Sequence, residues 1–460
     1  MMNTHFNART TGRRVSRLGM GGALAALSTL AACNADKLLD VQDVDVVSAD
    51  ALNGAAVLPS ARAATIGDFA VAYAGSSGSE GQAQMSGLFT DELLNSESFP
   101  TRIVVDQRDL EPINGTLLGL FRDISRARAT ADAVAARYAE FDPKNRAYSE
   151  VLALGGYTRV ILAENYCSGV PLSDLDAGGT IQGTPLTTVE LLRQAITKFD
   201  AALPIAVAAG STREANLARI GKARALLDLG EFQNAAAAVA GVPDNYRYEI
   251  SSSENSGRQN NGIFAFSQLG RRFSIPSGEG INGLNFATAN DPRVPTVRVG
   301  VGFDATTPLI VTTKYFGRTA PTPLAEGSEA RLIEAEAALQ AGNTAGFLVA
   351  LNRARAAAKT YPSRVGESAQ SSPDPIAALP ATRNAQVDLL FRERAFTLFL
   401  TSHRLGDLRR LVRQYGRTQD QVFPTGAYFK GGVYGKDVNF PVSFEEANNP
   451  LFKGCIDRNA

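Results

Sequence analysis

Apolar residues recur along most of this chain at the three- and four-residue spacing of helices with one buried face. In FRDISRARATADAVAARYAEF, residues 121–141, Ile124, Ala127, Ala131, Val134 and Tyr138 fall on one side. A second helix is predicted over 148–166, after the break signal Asp142-Pro143. A third, over 187–203, opens with Thr187 and Glu190 at capping-box spacing. A fourth, over 215–230, ends on Gly230, the residue type best suited to the left-handed position past a helix end. EFQNAAAAVAGV follows at once. From Ser328 the pattern resumes in EARLIEAEAALQAGN and TAGFLVALNRARAAAK, then in RNAQVDLLFRERAFTLFL and SHRLGDLRRLVRQYG. Val387, Leu390, Phe391, Ala395, Leu398 and Phe399 make a continuous apolar stripe in this last pair.

The turns between these helices are short, so neighbours pair antiparallel. ARALLDLGEFQNAAAAV and AEAALQAGNTAGFLVAL share a plan: small residues, a glycine, a short break, then an alanine-rich helix. That plan resembles the tetratricopeptide hairpin, in which small residues let two helices pack closely. The fold class is therefore all-α, built of degenerate tetratricopeptide-like hairpins that are split by an irregular, loop-rich insertion. The insertion covers 244–327, is rich in Gly, Pro, Ser and Asn, and holds short β-like pieces such as GIFAFSQ and VPTVRVGVGF. Long excursions from a helical scaffold are candidate ligand-facing surfaces; the alternative is a variable surface elaboration. The helical parts flank it at 56–243 and 328–460.

The first residues read as an address rather than as fold. Arg9, Arg13, Arg14 and Arg17 precede an apolar stretch, Leu18–Ala32, too short to span a bilayer as an ordinary helix. It ends Leu30-Ala31-Ala32-Cys33, which resembles a bacterial lipobox: cleavage before Cys33 and lipidation of its thiol. Residues 1–32 are then a lipoprotein signal peptide. Residues 33–55, with Asp36, Asp40, Asp43, Asp45 and Asp50, form an acidic tether. Cleavage leaves Cys167 and Cys455 in an oxidising compartment, where a disulfide is expected; two separate buried thiols are the alternative.

Cationic and acidic residues number 46 each, so no basic excess points to a nucleic-acid partner. Of two histidines, His5 lies in the leader and only His403 remains. One histidine gives neither a hydrolytic base and its helpers nor a His/Cys metal site, so no catalytic residue, metal or cofactor is assigned. GEGING, 278–283, lacks the strand-then-helix setting of a dinucleotide loop and reads as turn glycines. Glu393, Arg394, His403, Arg404, Asp407 and Arg410 crowd the last helix pair. They read as a structural ion-pair cluster across that hairpin, with His403 as a partly buried cap.

RERAFTLFLTSHRLGDLRRLVRQYGR also resembles the C-terminal signature of the SusD/RagB family. In order, CNADKLLDV, GGYTRVILAENYCSGVPLS, KARALLDLGEFQNAAAAVAGVP, NDPRVP with the later KY, and NFPVSFEEANNP resemble the family's other motifs. Thr397 and Thr401 stand where acids are usual, and Leu405 where an aromatic is usual. The resemblance implies a lipid-anchored, surface-exposed protein of the bacterial outer membrane that is no enzyme. It implies capture of a nutrient, a glycan or other oligomer, and delivery to a SusC-like TonB-dependent transporter. Family members that bind starch-like glycans stack sugars on Trp and Tyr, and this chain has no Trp. The ligand-binding candidates are accordingly Phe89, Asn95, Phe99, Asn260, Phe264, Phe273 and Tyr315. The competing reading is a tetratricopeptide-type periplasmic scaffold that binds a protein.

Overall fold

A computed structural model describes residues 54–460 apart from 112, 177 and 178. Cys33, the leader and tether residues 33–53 lie outside the described residues.

Capping and periodicity place the helices close to where the sequence predicts them. Helix α1 spans Leu58–Ala74, α2 Gln82–Phe89, α3 Pro100–Asp106, α4 Gly115–Phe141 and α5 Arg146–Asn165. The Asn114 side chain accepts from the Thr116 and Leu117 amides at the start of α4, and Asn145 caps α5. All five stripe residues of α4 are buried. Helix α5 is buried on every side from Ser149 onward, so it forms the axis of the array. Helix α6, Thr188–Ala208, carries the capping box: Glu190 N–H donates to Thr187 Oγ1 at 3.2 Å and Thr187 N–H to Glu190 Oε2 at 2.8 Å. Helices α7, Thr212–Asp228, and α8, Phe232–Val239, follow, with Gly230 at φ 76° between them.

Small residues set the spacing of these helices. A Cβ at Gly156 of α5 or at Gly221 of α7 would lie 2.7 or 2.3 Å from the Phe199 ring of α6. Only glycine lets both helices close on that ring. Helices α9, Gly327–Gln340, and α10, Thr344–Ala357, repeat the hairpin, turning at Gly342 with φ 71°. Helix α9 packs on α7 and α8, which joins the two helical blocks.

The last pair differs from expectation. Helix α11 spans Arg383–Thr397 and α12 Arg404–Tyr415. The apolar period runs on through Leu398 and Phe399, but Leu400 and Ser402 take φ 52° and 61° and break the helix. Both apolar side chains stay buried in the turn.

The insertion begins and ends in one ladder. Strand β2, Arg247–Ile250, pairs antiparallel with β6, Thr322–Glu326. Between them, β3, Phe273–Ser274, pairs with β1, Leu94–Asn95, and β4, Thr296–Val301, with β5, Pro308–Thr312. Gly278 and Gly280 of GEGING have φ 84° and 56° and make turns. The Cys167 and Cys455 sulfurs are bonded, with Cα atoms 5.9 Å apart. No described helix is long and apolar enough to cross a membrane.

Candidate functional site

The charged cluster of the last pair is buried, and its partners come from across the chain. Glu393 accepts from Arg293 at 2.7 Å and Arg355 at 2.5 Å. Arg404 forks onto Asp91 at 2.6 and 2.8 Å. Arg394 Nε donates to Asp407 at 2.8 Å, the one pair that crosses the hairpin as expected. Arg410 donates to Glu336 at 2.5 and 3.1 Å and to Asp407 at 2.9 Å. Burial pushes Asp407 up, but Arg394 and Arg410 outweigh it and hold the carboxyl well below the usual range.

His403 is fully enclosed rather than partly buried, and its side chain caps nothing. Nδ1 lies 2.8 Å from Thr401 Oγ1 and 2.9 Å from Thr401 O; Nε2 lies 3.0 Å from Glu329 Oε1. The Thr401 hydroxyl donates to Leu398 O. The hydrogen-bond pattern therefore assigns the proton to Nδ1, leaving Nε2 to accept from a protonated Glu329. The surroundings agree: burial, then the Arg224 and Arg394 charges, holds His403 well below its usual value. Burial raises Glu329 from 4.5 to about 7 against the same two arginines. The contact is thus a neutral pair rather than a salt bridge. Because the folded state favours the protonated acid, this stabilisation is complete below pH 4.5 and is lost as pH rises through about 7. In Glu329→Gln the amide donates to Nε2 at any pH. Urea unfolding at pH 5 and pH 8.5 is expected to show a smaller alkaline loss in the variant, by on the order of 2 kcal/mol. Equal losses in the two proteins would rule out a protonated Glu329.

Most of the ring candidates serve the core. Phe89, Phe273 and Tyr315 are 0–1% exposed. Phe89 packs on Phe440 and Phe273 stacks on Phe266, while the Tyr315 hydroxyl donates to Leu400 O. Asn95 is enclosed, its Oδ1 taken by the Glu97 amide. All four are enclosed by the protein. Asn260 is buried, and its Oδ1 has no partner. Phe264 is half-buried against Phe316. Phe99 alone stands out, 43% exposed.

Around Phe99 the fold assembles a face that the sequence reading missed. Three segments are laced together: Ser96 N–H donates to Arg272 O, Phe303 N–H to Arg271 O and Asp304 N–H to Ser96 O, at 2.8, 2.8 and 3.1 Å. A Cβ at Gly302 would fall 2.5 Å from Ser96, so glycine permits the approach. Phe303, 44% exposed, comes to 6.1 Å from Phe99. The Arg272 guanidinium lies 4.8 Å from each ring and pairs with Glu97. Arg102 bridges Glu80 and Glu97 and lies 5.5 Å from Phe99. A fourth segment adds Phe429, 47% exposed, and Lys430, whose Nζ donates to Glu97 O at 2.6 Å and Asp304 Oδ2 at 2.7 Å. Burial raises Asp304, but Lys430 and Thr307 outweigh it and keep the carboxyl below the usual range. The result is a preorganised platform of exposed phenyl rings set among satisfied ion pairs. It can hold the apolar faces of an extended ligand. The available sequence signals were the alternation Val297, Val299, Val301, Phe303, and Phe429 beside Gly431-Gly432.

A tetratricopeptide-like array thus carries this face where the zipped insertion meets the segments of Phe99 and Phe429. No family model and no curated protein matches the chain. Solved structures do, and they share one fold. A SusD superfamily protein from Bacteroides thetaiotaomicron superposes with a TM-score of 0.61 over 86% of this chain and 99% of its own, at 14% identity. A SusD/RagB family protein from the same organism gives 0.59 over 85% and 94%, at 13% identity. A SusD-like carbohydrate binding protein from Bacteroides vulgatus gives 0.58 over 76% and 83%, at 14% identity. The fold of this chain is therefore that of the SusD/RagB family.

Proposed function

We propose that this protein is a SusD/RagB-like surface lipoprotein that captures an oligomeric nutrient and delivers it to a SusC-like TonB-dependent transporter. The observation that carries this reading is the match of nearly the whole chain to SusD-superfamily structures. The Leu-Ala-Ala-Cys33 motif supplies the anchor to the outer membrane, and the Phe99–Phe303–Phe429 platform the capture surface. One relative is a carbohydrate binding protein, so a glycan is the first ligand class to test. Phenyl rings with no Trp fit a less polar oligomer equally well.

Affinity capture on a C-terminal tag from detergent-solubilised outer membranes tests the reading. A large β-barrel receptor in near-equal amount is the expected result; a periplasmic protein partner instead would favour the scaffold reading. Cys33→Ala is expected to leave uncleaved precursor or to release soluble protein. A variant that still fractionates as mature, membrane-anchored protein would overturn the lipid anchor.

A further inference from the structure

The platform's fourth segment is a strap, residues 424–437, that folds as a narrow hairpin. Tyr434 N–H donates to Gly426 O and Tyr428 N–H to Gly432 O, at 3.0 and 3.1 Å, with Phe429 and Lys430 at the tip. Gly431 and Gly432, at φ 105° and 77°, turn it. Arg108 holds its two ends, donating to Pro424 O at 2.6 Å and Asp437 O at 2.9 Å. Its middle hangs on two buried tyrosines. Tyr428 OH donates to Asp106 Oδ2 and Tyr434 OH to Glu279 Oε1, each at 2.8 Å. Asp106 ends α3 and Glu279 sits in the turn of GEGING, so the strap is tied to two other segments at once.

These two carboxyls are unusual. Both are buried, no Lys or Arg pairs with either among the described residues, and they contact each other. Each keeps one oxygen with no donor, Asp106 Oδ1 and Glu279 Oε2. One proton held between the two groups supplies the missing donor; two bare carboxylates in contact inside the protein do not coexist. The charged and titratable groups that face the pair are Tyr428 and Tyr434 of the strap, Asp91, Lys430 and Arg108. Asp91 is already taken by Arg404, and Lys430 by Asp304 and the Glu97 carbonyl.

We propose that the Asp106–Glu279 pair is a proton-operated latch for the strap, which keeps Phe429 seated on the capture platform while the shared proton is present and frees it when the proton leaves. This deepens the capture reading and rests on it for its meaning, although the latch can be read without any ligand. The direction follows from burial, which raises Asp106 from 3.8 to about 6 and Glu279 well above 4.5. A raised acid favours the folded form at low pH and weakens it as pH rises. The strap is therefore closed in acid and loosens as the pair gives up its last proton, well above the ordinary carboxylate range.

The chain has no Trp, so Phe429→Trp places a single reporter on the strap tip. Acrylamide quenching of that tryptophan is expected to rise with pH from 5 to 9. The ratio of open to closed strap rises by up to about tenfold per pH unit between the open-state and closed-state titrations and levels off above the latter. Adding Glu279→Gln, which donates to Asp106 and cannot ionise, is expected to abolish the transition and leave the tip protected. Adding Tyr434→Phe instead is expected to leave the tip exposed at every pH. A transition that persists in the Glu279→Gln background, or a tip whose quenching ignores pH in the parent, would overturn the latch. Because quenching is read on the free protein, a working latch with no ligand binding would count against capture alone.

Discussion

Arg410→Ala is expected to cost about 3–5 kcal/mol of folding stability, the penalty for breaking a buried ion pair from one side. The guanidinium is fully enclosed and lies 5.2 Å from the Phe391 ring. Truncation leaves Glu336 with only the Tyr415 hydroxyl at 2.6 Å and a distant Arg394, 3.9 Å away, for company. Asp407 keeps Arg394, but Asp228, 3.5 Å from Arg410, loses its nearest cation. A domain's net stability is about 5–15 kcal/mol, so the variant stands near the limit of folding. Arg410→Lys is expected to recover part of the loss, since the charge survives while the fork onto Glu336 does not. Urea titration of the three proteins decides the matter. A loss under about 1 kcal/mol in the alanine variant would show that the cluster relaxes around the gap and that the burial argument fails.

Opening the Cys167–Cys455 bridge is the second large effect. The bond closes a loop of 288 residues. Loop-closure entropy in the unfolded chain then sets a ceiling of about 6 kcal/mol on the loss, and native bridges on removal typically cost about 2–5 kcal/mol. Locally the bond backs a short ladder: Ser168 N–H donates to Asp457 O at 3.0 Å and Ile456 N–H to Ser168 O at 2.8 Å. Cys455→Ser is expected to lower the thermal midpoint and to raise amide exchange in 450–460. If the midpoint is unchanged, and the parent protein titrates with two free thiols after denaturation without reductant, the bridge does not form.

Local features of the fold were readable in the sequence; long-range partnerships were not. Thr187 and Gly230 mark helix ends by chemistry that acts within a few residues, and helices begin and end there. The stop at Thr397 was hidden, because Leu398 and Phe399 continue the apolar period and stay buried after the helix has ended. Glu393 and Arg404 were identifiable as charges, but Arg293 and Asp91 lie 100 and 313 residues away. Nothing local pairs them. Most of the aromatic candidates turn out to lie in the core for a related reason. A phenylalanine bound for the core and one bound for a platform are the same residue, and only the tertiary fold separates Phe89 from Phe99.

The ladder of Arg247–Ile250 with Thr322–Glu326 has an evolutionary consequence. It brings the two ends of the excursion within about one strand spacing, roughly 5 Å. The helices on either side then meet a fixed junction whatever length of chain lies beyond it. Doubling such a loop adds only about 0.6 kcal/mol of closure entropy. The exposed stretches of 251–321 can therefore drift or lengthen while the stem keeps the helical array in register, whereas Phe273, Arg293 and Tyr315, tied to the scaffold, are held in place. A lineage can in this way vary its exposed face without rebuilding its scaffold. That fits a fold retained at 13–14% identity to solved relatives.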